Sequence, residues 1–401
     1  MPLSDSAFLL VAAIAVLAPL LARGVSRVVR VPIVVFELVL GILVGPAVLG
    51  WVTPDRLIEW FADLGLAVLF FMAGNEIDAR VLRGRTGARA SIGWVISLGA
   101  GILAGFLLAP GPAAVVIGIA LCSTALGTLL PILRDDQLLD TPFGRSLMAI
   151  GAVGEFGPLV AISLFMSGRS IGPATIVLLA FVAVAAGALL LAMRMPHGSL
   201  HRVVTATLHT SGQFAVRTIM LILGALVALS LFLDLDMLLG AFVAGLIWQL
   251  IMRNAPEGDR HQVESKIEAV GFGVFVPVFF IYTGITFDLD ALVTDPSVAV
   301  LVPVFLVALL VIRGLPSLLA APLGASPRER AAVAFLGATG LPVIVAVTGI
   351  GVSEEILTTG MASALVGAGM LSVLLYPLIG MALRGIHDEG RHLPPVQEDA
   401  A

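Results

Sequence analysis

The feature that most constrains this chain is the spacing of its charges. Between short polar loops run aliphatic stretches about 17 to 25 residues long, the length an α-helix needs to cross a hydrocarbon core roughly 30 Å thick. No period-2 alternation accompanies them, which argues against a membrane β-barrel. Composition bears on the solvent: 59% of the 401 residues are hydrophobic, 12% are charged, and the mean hydropathy is +1.08. Water-soluble domains lie outside that range. Lipid is therefore the expected solvent, and an all-α polytopic membrane protein the expected fold class.

Thirteen hydrophobic segments stand out, near 6–22, 32–50, 58–74, 90–109, 112–133, 145–167, 172–193, 213–233, 236–252, 267–287, 297–321, 329–351 and 358–384. A polar linker, 194–212, follows the seventh. The first segment lacks a basic n-region, runs into Arg23, Arg27 and Arg30, and has no convincing cleavage site, so it reads as a mature membrane helix. Cytoplasmic loops are expected to hold the basic residues. With the N-terminus outside and the C-terminus inside, eighteen of the 22 Lys and Arg fall inside and only Arg56 and Arg169 outside; Arg217 and Arg313 lie within hydrophobic segments. A wrong span count would scramble that pattern. Beyond the last segment, 385–401 is expected to form a short cytoplasmic tail, with no soluble domain.

The net charge of −5 and the scatter of basic residues over short loops argue against a nucleic-acid partner. Cys122 is the only cysteine, so it forms no internal disulfide, and its place in an apolar helix gives no sign of redox chemistry. Nor does any residue pattern point to an enzyme or a cofactor.

The chain also repeats itself weakly. GLAVLFFMAGNEID, Gly65 to Asp78, matches GVFVPVFFIYTGITFD, Gly273 to Asp288, in its Phe-Phe pair, a following Gly and a final Asp. Each copy follows a Gly-rich apolar helix, FELVLGILVG or LLGAFVAGLI. By the span count the first copy ends inside and the second outside, the pattern of inverted repeats in secondary transporters.

Ionisable residues at bilayer depth cost at least roughly 2.5 to 3.5 kcal/mol on insertion scales, so those present usually serve a function. Glu155 is the sharpest candidate, midway along its segment in GAVGEFGPLVAIS with no neutralising neighbour in sequence. The competing reading is a protonated Glu bonded to a neighbouring helix. Arg313, in FLVALLVIRGLPSLL, lies at a depth within roughly 6 Å of Glu155 if both helices rise about 1.5 Å per residue. It reads as a counter-charge for Glu155, or else as an arginine snorkelling to the interface.

Two segments carry helix-breaking residues at matching places in the two halves. One is IALCSTALGTLLPIL, with Ser123, Thr124, Gly127 and Pro131; the other is FLGATGLPVIVAVTGIG, with Thr339, Gly340 and Pro342. Broken spans expose backbone groups that bind ions where protein or water surrounds them. Glu37 reads as a helix-packing or dimer-face residue and Arg217 as snorkelling, while Asn75, Glu76 and Asp78 read as a solvated helix end. His197, His201 and His209 occupy the linker, where a solvated segment is the plainer reading and a pH sensor the sharper one.

VPIVVFELVLGILVGPAVLG, LGLAVLFFMAGNEIDARVL, the CST helix and DMLLGAFVAGL together resemble the monovalent cation/proton antiporter superfamily, in the branch of bacterial sodium/proton and potassium-efflux antiporters. The resemblance covers nearly the whole hydrophobic chain and does not specify the ion. It implies that the essential acid of the sixth of thirteen helices is Glu155, that the basic residue of the eleventh is Arg313, and that two crossed broken helices carry Ser123-Thr124 and Thr339-Gly340. In the family the acid usually follows Asp, Asn or Gln; here Gly154 stands in that place. The resemblance further implies a homodimer in the prokaryotic inner membrane. Its dimerisation part would be 6–74 and 213–287, its core part 90–167 and 297–384, and 172–193 a connecting helix. Potassium-efflux relatives often append a nucleotide-binding domain; since the sequence ends soon after Arg384, such regulation is expected to be absent or to reside on a separate subunit.

The mechanism this implies is competition at one site. Glu155 would bind either a proton or a partly dehydrated Na⁺ or K⁺, with Ser123, Thr124 and exposed carbonyls as further oxygen ligands. One exchangeable carboxylate per subunit favours electroneutral, pH-dependent exchange. The alternatives are a sodium-coupled organic-anion carrier of similar architecture, holding a carboxylate at half-helix N-termini, and a non-transporting membrane subunit.

Overall fold

The computed structural model of the chain describes residues 4–25, 31–77, 82, 84–166, 170–194, 213–253 and 255–385. The linker histidines, Asp78 and the tail beyond 385 lie outside the described residues, so the readings attached to them are not addressed by it. Among the described residues every regular element is helical. The first half comprises α1 (Ser4–Val25), α2 (Ile33–Val44), α3 (Arg56–Glu76), α4 (Gly84–Leu108), α5 (Pro112–Leu121), α6 (Leu126–Asp135), α7 (Pro142–Phe165) and α8 (Ile171–Arg194). Then come α9 (Phe214–Phe232), α10 (Met237–Met252) and α11 (Glu257–Val270), which runs through a π-helical stretch, Gly271–Phe275, into α12 (Val276–Ile285). After the short α13 (Leu289–Thr294), α14 (Pro296–Ala308) continues through a second π-helical stretch, Leu309–Gly314, to Ala320. The chain closes with α15 (Pro327–Gly337), α16 (Pro342–Ser353) and α17 (Thr359–Gly385).

Ten of the described helical segments are long and apolar enough to cross a membrane, and three shorter apolar helices, Ile33–Val44, Gly172–Gly187 and Met237–Met252, accompany them. Each of the thirteen hydrophobic stretches of the sequence overlaps one of these. The protein is thus a multi-pass, all-helical membrane protein.

The helices pack in two groups. α1, α2 and α3 pack with α10 and α12, and α9 packs on α10; α4, α5, α6 and α7 pack with one another and with α14 to α17. Helices α7, α8 and α10 join the groups. Burial identifies the interior spans. In Pro112–Arg134, Pro142–Phe165 and Pro327–Ser353, 83%, 78% and 78% of the most apolar window is buried, against 22% in Gly84–Leu108. These three enclosed spans hold both breaks and Glu155. On the outer faces Leu9, Leu103, Leu107 and Leu221 are exposed, as lipid-facing positions should be.

The weak internal repeat has a structural counterpart. A Cβ on Gly41 of α2 would lie 2.3 Å from the Ile281 carbonyl oxygen of α12, and one on Gly284 of α12 would lie 2.3 Å from that of Leu38. The same reciprocal fit joins α3 to α10, where Gly74 faces the Phe242 carbonyl at 2.1 Å and Gly245 faces that of Phe71 at 2.0 Å. Each helix of the first copy therefore packs on a helix of the second through glycines. In lipid, where apolar surface gains little by association, such close backbone approach is a main source of helix–helix attraction.

Candidate functional site

The site begins with two interruptions. The second is explained by proline: Pro342 opens α16, and the residue before a proline is driven out of helical geometry, as Leu341 is at φ −145°. The first has no proline at the break. There Ser123 turns its hydroxyl back to the Ala120 carbonyl at 2.8 Å, while Thr124 and Ala125 bond across to other helices.

The interruptions cross. The Ala125 amide donates to the Thr339 carbonyl at 2.7 Å, and the Thr124 hydroxyl donates to the Gly337 carbonyl at 2.7 Å. Gly340 lies against Ser123, since a Cβ there would stand 3.1 Å from the Ser123 hydroxyl oxygen. Backbone groups freed from α5, α6, α15 and α16 thus satisfy one another, as irregular backbone at membrane depth must.

Helix α7 supplies the third strand of this network. Pro158 has no N–H, so the Gly154 carbonyl one turn earlier loses its helical donor. That carbonyl accepts the Thr124 amide instead, at 3.0 Å. The next residue is Glu155. It is 3% exposed, and its Oε1 accepts the Leu126 amide, the first of α6, at 2.9 Å. A helix N-terminus carries partial positive charge, so a carboxylate is stabilised there. Its other oxygen, Oε2, is buried with no hydrogen-bond partner. Gly127 follows Leu126 in α6 and has nothing within 4 Å of a would-be Cβ, leaving the approach to Glu155 open.

Arg313 lies in the π-helical stretch that interrupts the eleventh span, a backbone form often found at functional positions. Fully enclosed at 1% exposed, it donates from Nε to the Thr124 hydroxyl and from Nη2 to the Ile150 carbonyl, each at 2.7 Å. It forms no ion pair with Glu155 in this conformation. The arginine holds the first break against α7 and does not stand over the acid. Gly154 marks why there is room: a Cβ at that position would lie 2.5 Å from Thr124 Cβ and 2.7 Å from Arg313 Nη2. The absent side chain is replaced by the guanidinium.

Of the residues singled out in the sequence, Ser123, Thr124, Glu155, Arg313, Thr339 and Gly340 therefore meet around one crossing, with Gly127 at its edge. The hydroxyls of Ser123 and Thr124 are engaged with protein partners, and the free oxygen belongs to Glu155.

Beyond Glu155 opens a cavity of about 670 Å³ between the two helix groups, bounded by Gly127, Thr128 and Pro131 on one side and by Phe70, Ala73 and Phe280 on the other. Three acids that the sequence did not assign to the site, Glu37, Glu76 and Asp136, line it as well. Glu37 of α2 faces this cavity, not merely a packing seam. Glu76, read from sequence as part of a solvated helix end, also lines it, and its Oε2 is buried. Ser372 of α17 was likewise unassigned: its hydroxyl accepts the Gly340 amide at 3.1 Å and lies 3.0 Å from the Gly340 carbonyl. A single serine in an apolar run was its only signal.

Residues 12–382 match the family model described as sodium/hydrogen exchanger, transmembrane. Among curated relatives, YjbQ of Bacillus subtilis (strain 168) is 25% identical over 94% of this chain and 62% of its own length. The Na(+)/H(+)-K(+) antiporter GerN of Bacillus cereus is 25% identical over 91% of this chain and 93% of its own. The chain thus spans less than two thirds of YjbQ and nearly all of GerN. Among solved structures, the sodium proton antiporter MjNhaP1 from Methanocaldococcus jannaschii at pH 8 has the same fold, with a TM-score of 0.67 at 17% identity over 95% of this chain and 97% of that one.

Proposed function

The chain belongs to the transmembrane sodium/hydrogen exchanger family, and from that premise we propose that it exchanges a monovalent cation, Na⁺ or K⁺, for protons at Glu155. The observation that carries this reading is the state of that carboxylate. One oxygen is held by the first amide of α6 and the other is buried, unpartnered and next to a large cavity. A buried carboxylate with a free oxygen is costly unless a proton or a cation joins it. Either occupant relieves the same cost, so each displaces the other.

In this reading the group of α4 to α7 and α14 to α17 carries Glu155 past the group of α1 to α3 and α9 to α12, by alternating access. α8 connects the two, and two copies pair through the latter group in the inner membrane. The basic-loop pattern supports thirteen spans with the N-terminus outside and the C-terminus inside. One exchanging carboxylate per subunit makes the cycle electroneutral. Thr124 and Ser123 act chiefly by shaping the break, and Arg313 by fixing it to α7.

The test is cation-induced ΔpH change in proteoliposomes with Na⁺, K⁺ and Li⁺, for the wild type beside Glu155→Gln. Glutamine keeps the shape and the acceptor for Leu126 while removing the exchangeable charge. Cation-dependent proton movement that falls by about a hundredfold or more in the variant is the expected result. Undiminished exchange in Glu155→Gln would sink the assignment, and no proton movement with any cation in the wild type would sink the proposed activity.

A further inference from the structure

The cavity beside Glu155 is acidic on both of its walls. Glu155 and Asp136, the C-cap residue of α6, lie on one helix group; Glu37 and Glu76 lie on the other, and no Lys or Arg is among the described residues that line it. Glu37 is 5% exposed and has neither a hydrogen bond nor an ion pair among the described residues. The Oε2 atoms of Glu76 and Glu155 are both closed to solvent and without a hydrogen-bond partner. Unpaired buried carboxylates of this kind need a proton, a cation or water to be tolerated.

A second cavity, of about 400 Å³, adjoins the first and shares Met72 and Glu76 with it. This one is polar, with Asn75, Gln249, Arg134, Arg253, Glu264 and Glu268 among its walls. Arg134 acts on Glu76 through space but forms no direct ion pair with it. Glu76 therefore stands where a mixed-charge vestibule meets an acid-lined cavity. A passage lined by one sign of charge between low-dielectric walls concentrates the opposite ion. At about 670 Å³ the inner cavity holds a hydrated ion with room to spare, since a water occupies roughly 30 Å³.

We propose that Glu76, backed by Glu37, forms a second cation-binding station on the helix group opposite Glu155, taking a hydrated monovalent cation from the polar vestibule and delivering it to Glu155. The station rests on the reading of Glu155 as the exchange site. It supplies a carboxylate that the sequence around Glu155 lacks, from a different helix. A cation between the two acids screens their repulsion, so filling the station eases ionisation of Glu155 as the ion arrives.

Labelling of the wild-type protein with dicyclohexylcarbodiimide, read residue by residue by mass spectrometry, tests this without any substitution. The cation that drives exchange is expected to slow modification of both Glu76 and Glu155 by about tenfold at saturation, relative to choline. Protection of Glu155 with none at Glu76 overturns the station and leaves the exchange site standing. Protection of neither removes both. Kinetics give the second arm if Glu76 resists labelling. Glu76→Gln is expected to raise the half-saturating cation concentration by about tenfold, more than it lowers the maximal rate, and Glu76→Asp to recover most of that shift. An unchanged half-saturation in a monodisperse Glu76→Gln protein, or a fall in maximal rate alone, overturns it.

Discussion

The two helix breaks are built alike in backbone and differently in chemistry. Both interrupt a span at its middle, both are enclosed, and each satisfies amides or carbonyls of the other. At the first, the amide opening α6 is met by a carboxylate, Glu155; at the second, the amide of Gly340 is met by a hydroxyl, Ser372. The hydroxyl is fully engaged, accepting from Gly340 and sitting within bonding distance of the Gly340 and Gly369 carbonyls. The carboxylate keeps one oxygen free beside a cavity. A crossing alone therefore makes a rigid joint. An ion site needs, in addition, a charge left unpaired and a path to it.

The largest effect comes from moving the acid. In the double variant Glu155→Gln/Ser372→Glu the carboxylate sits at the second break, where no cavity-lining position is available to Ser372 itself. Exchange in proteoliposomes is expected to stay about a hundredfold or more below wild type, as in Glu155→Gln alone. Recovery to within tenfold of wild type would mean the breaks are interchangeable and the comparison is empty.

The next test concerns what holds the first break and has no equivalent at the second. Arg313 joins Thr124 to Ile150 through two short bonds from one buried guanidinium. Arg313→Leu removes both bonds, a cost of roughly 3 to 6 kcal/mol if each charged bond contributes about 1.5 to 3. Thermal unfolding in detergent is expected to shift well below the wild type, with Arg313→Lys between them because an ammonium lacks the two-pronged geometry. If Arg313→Leu keeps wild-type stability but loses exchange, the arginine acts on the ion and not on the joint.

These contrasts also divide what the sequence made legible from what it did not. Glu155 stood out because it is a lone carboxylate in an apolar run, and the second break because Thr339-Gly340-Leu341-Pro342 cannot continue a helix. The span positions followed from hydropathy alone. The partner of Arg313 was not legible: a depth computed at a uniform rise places it near Glu155, but its span passes through π-helical turns and the space beside Gly154 draws the guanidinium toward Thr124. Glu37 and Glu76 were hidden for another reason. Which way a residue on α2 or α3 faces depends on the glycine contacts with α12 and α10, and those belong to the folded pair, not to either helix.

The smallest expected effect isolates the link between helix α7 and the first break. Pro158 deprives the Gly154 carbonyl of a donor, and the Thr124 amide fills that vacancy at 3.0 Å. Pro158→Ala restores an N–H that competes for the same carbonyl. Alanine also favours the helix interior, by up to about 3 kcal/mol over proline in exposed helices, but here the gain is offset by the loosened Thr124 bond, worth about 1 kcal/mol. Net stability should therefore rise, by up to about 2 kcal/mol, while the break itself opens. Hydrogen–deuterium exchange of a peptide covering Thr124 and Ala125 reads this directly: faster exchange there, with the peptide covering Gly340 unchanged, is the expected pattern. Equal protection of both peptides in Pro158→Ala would mean that Gly154 does not anchor the break, and that the proline matters only to α7. Since Glu155 directly follows Gly154, the same loosening should slow cation exchange a few-fold and leave it present.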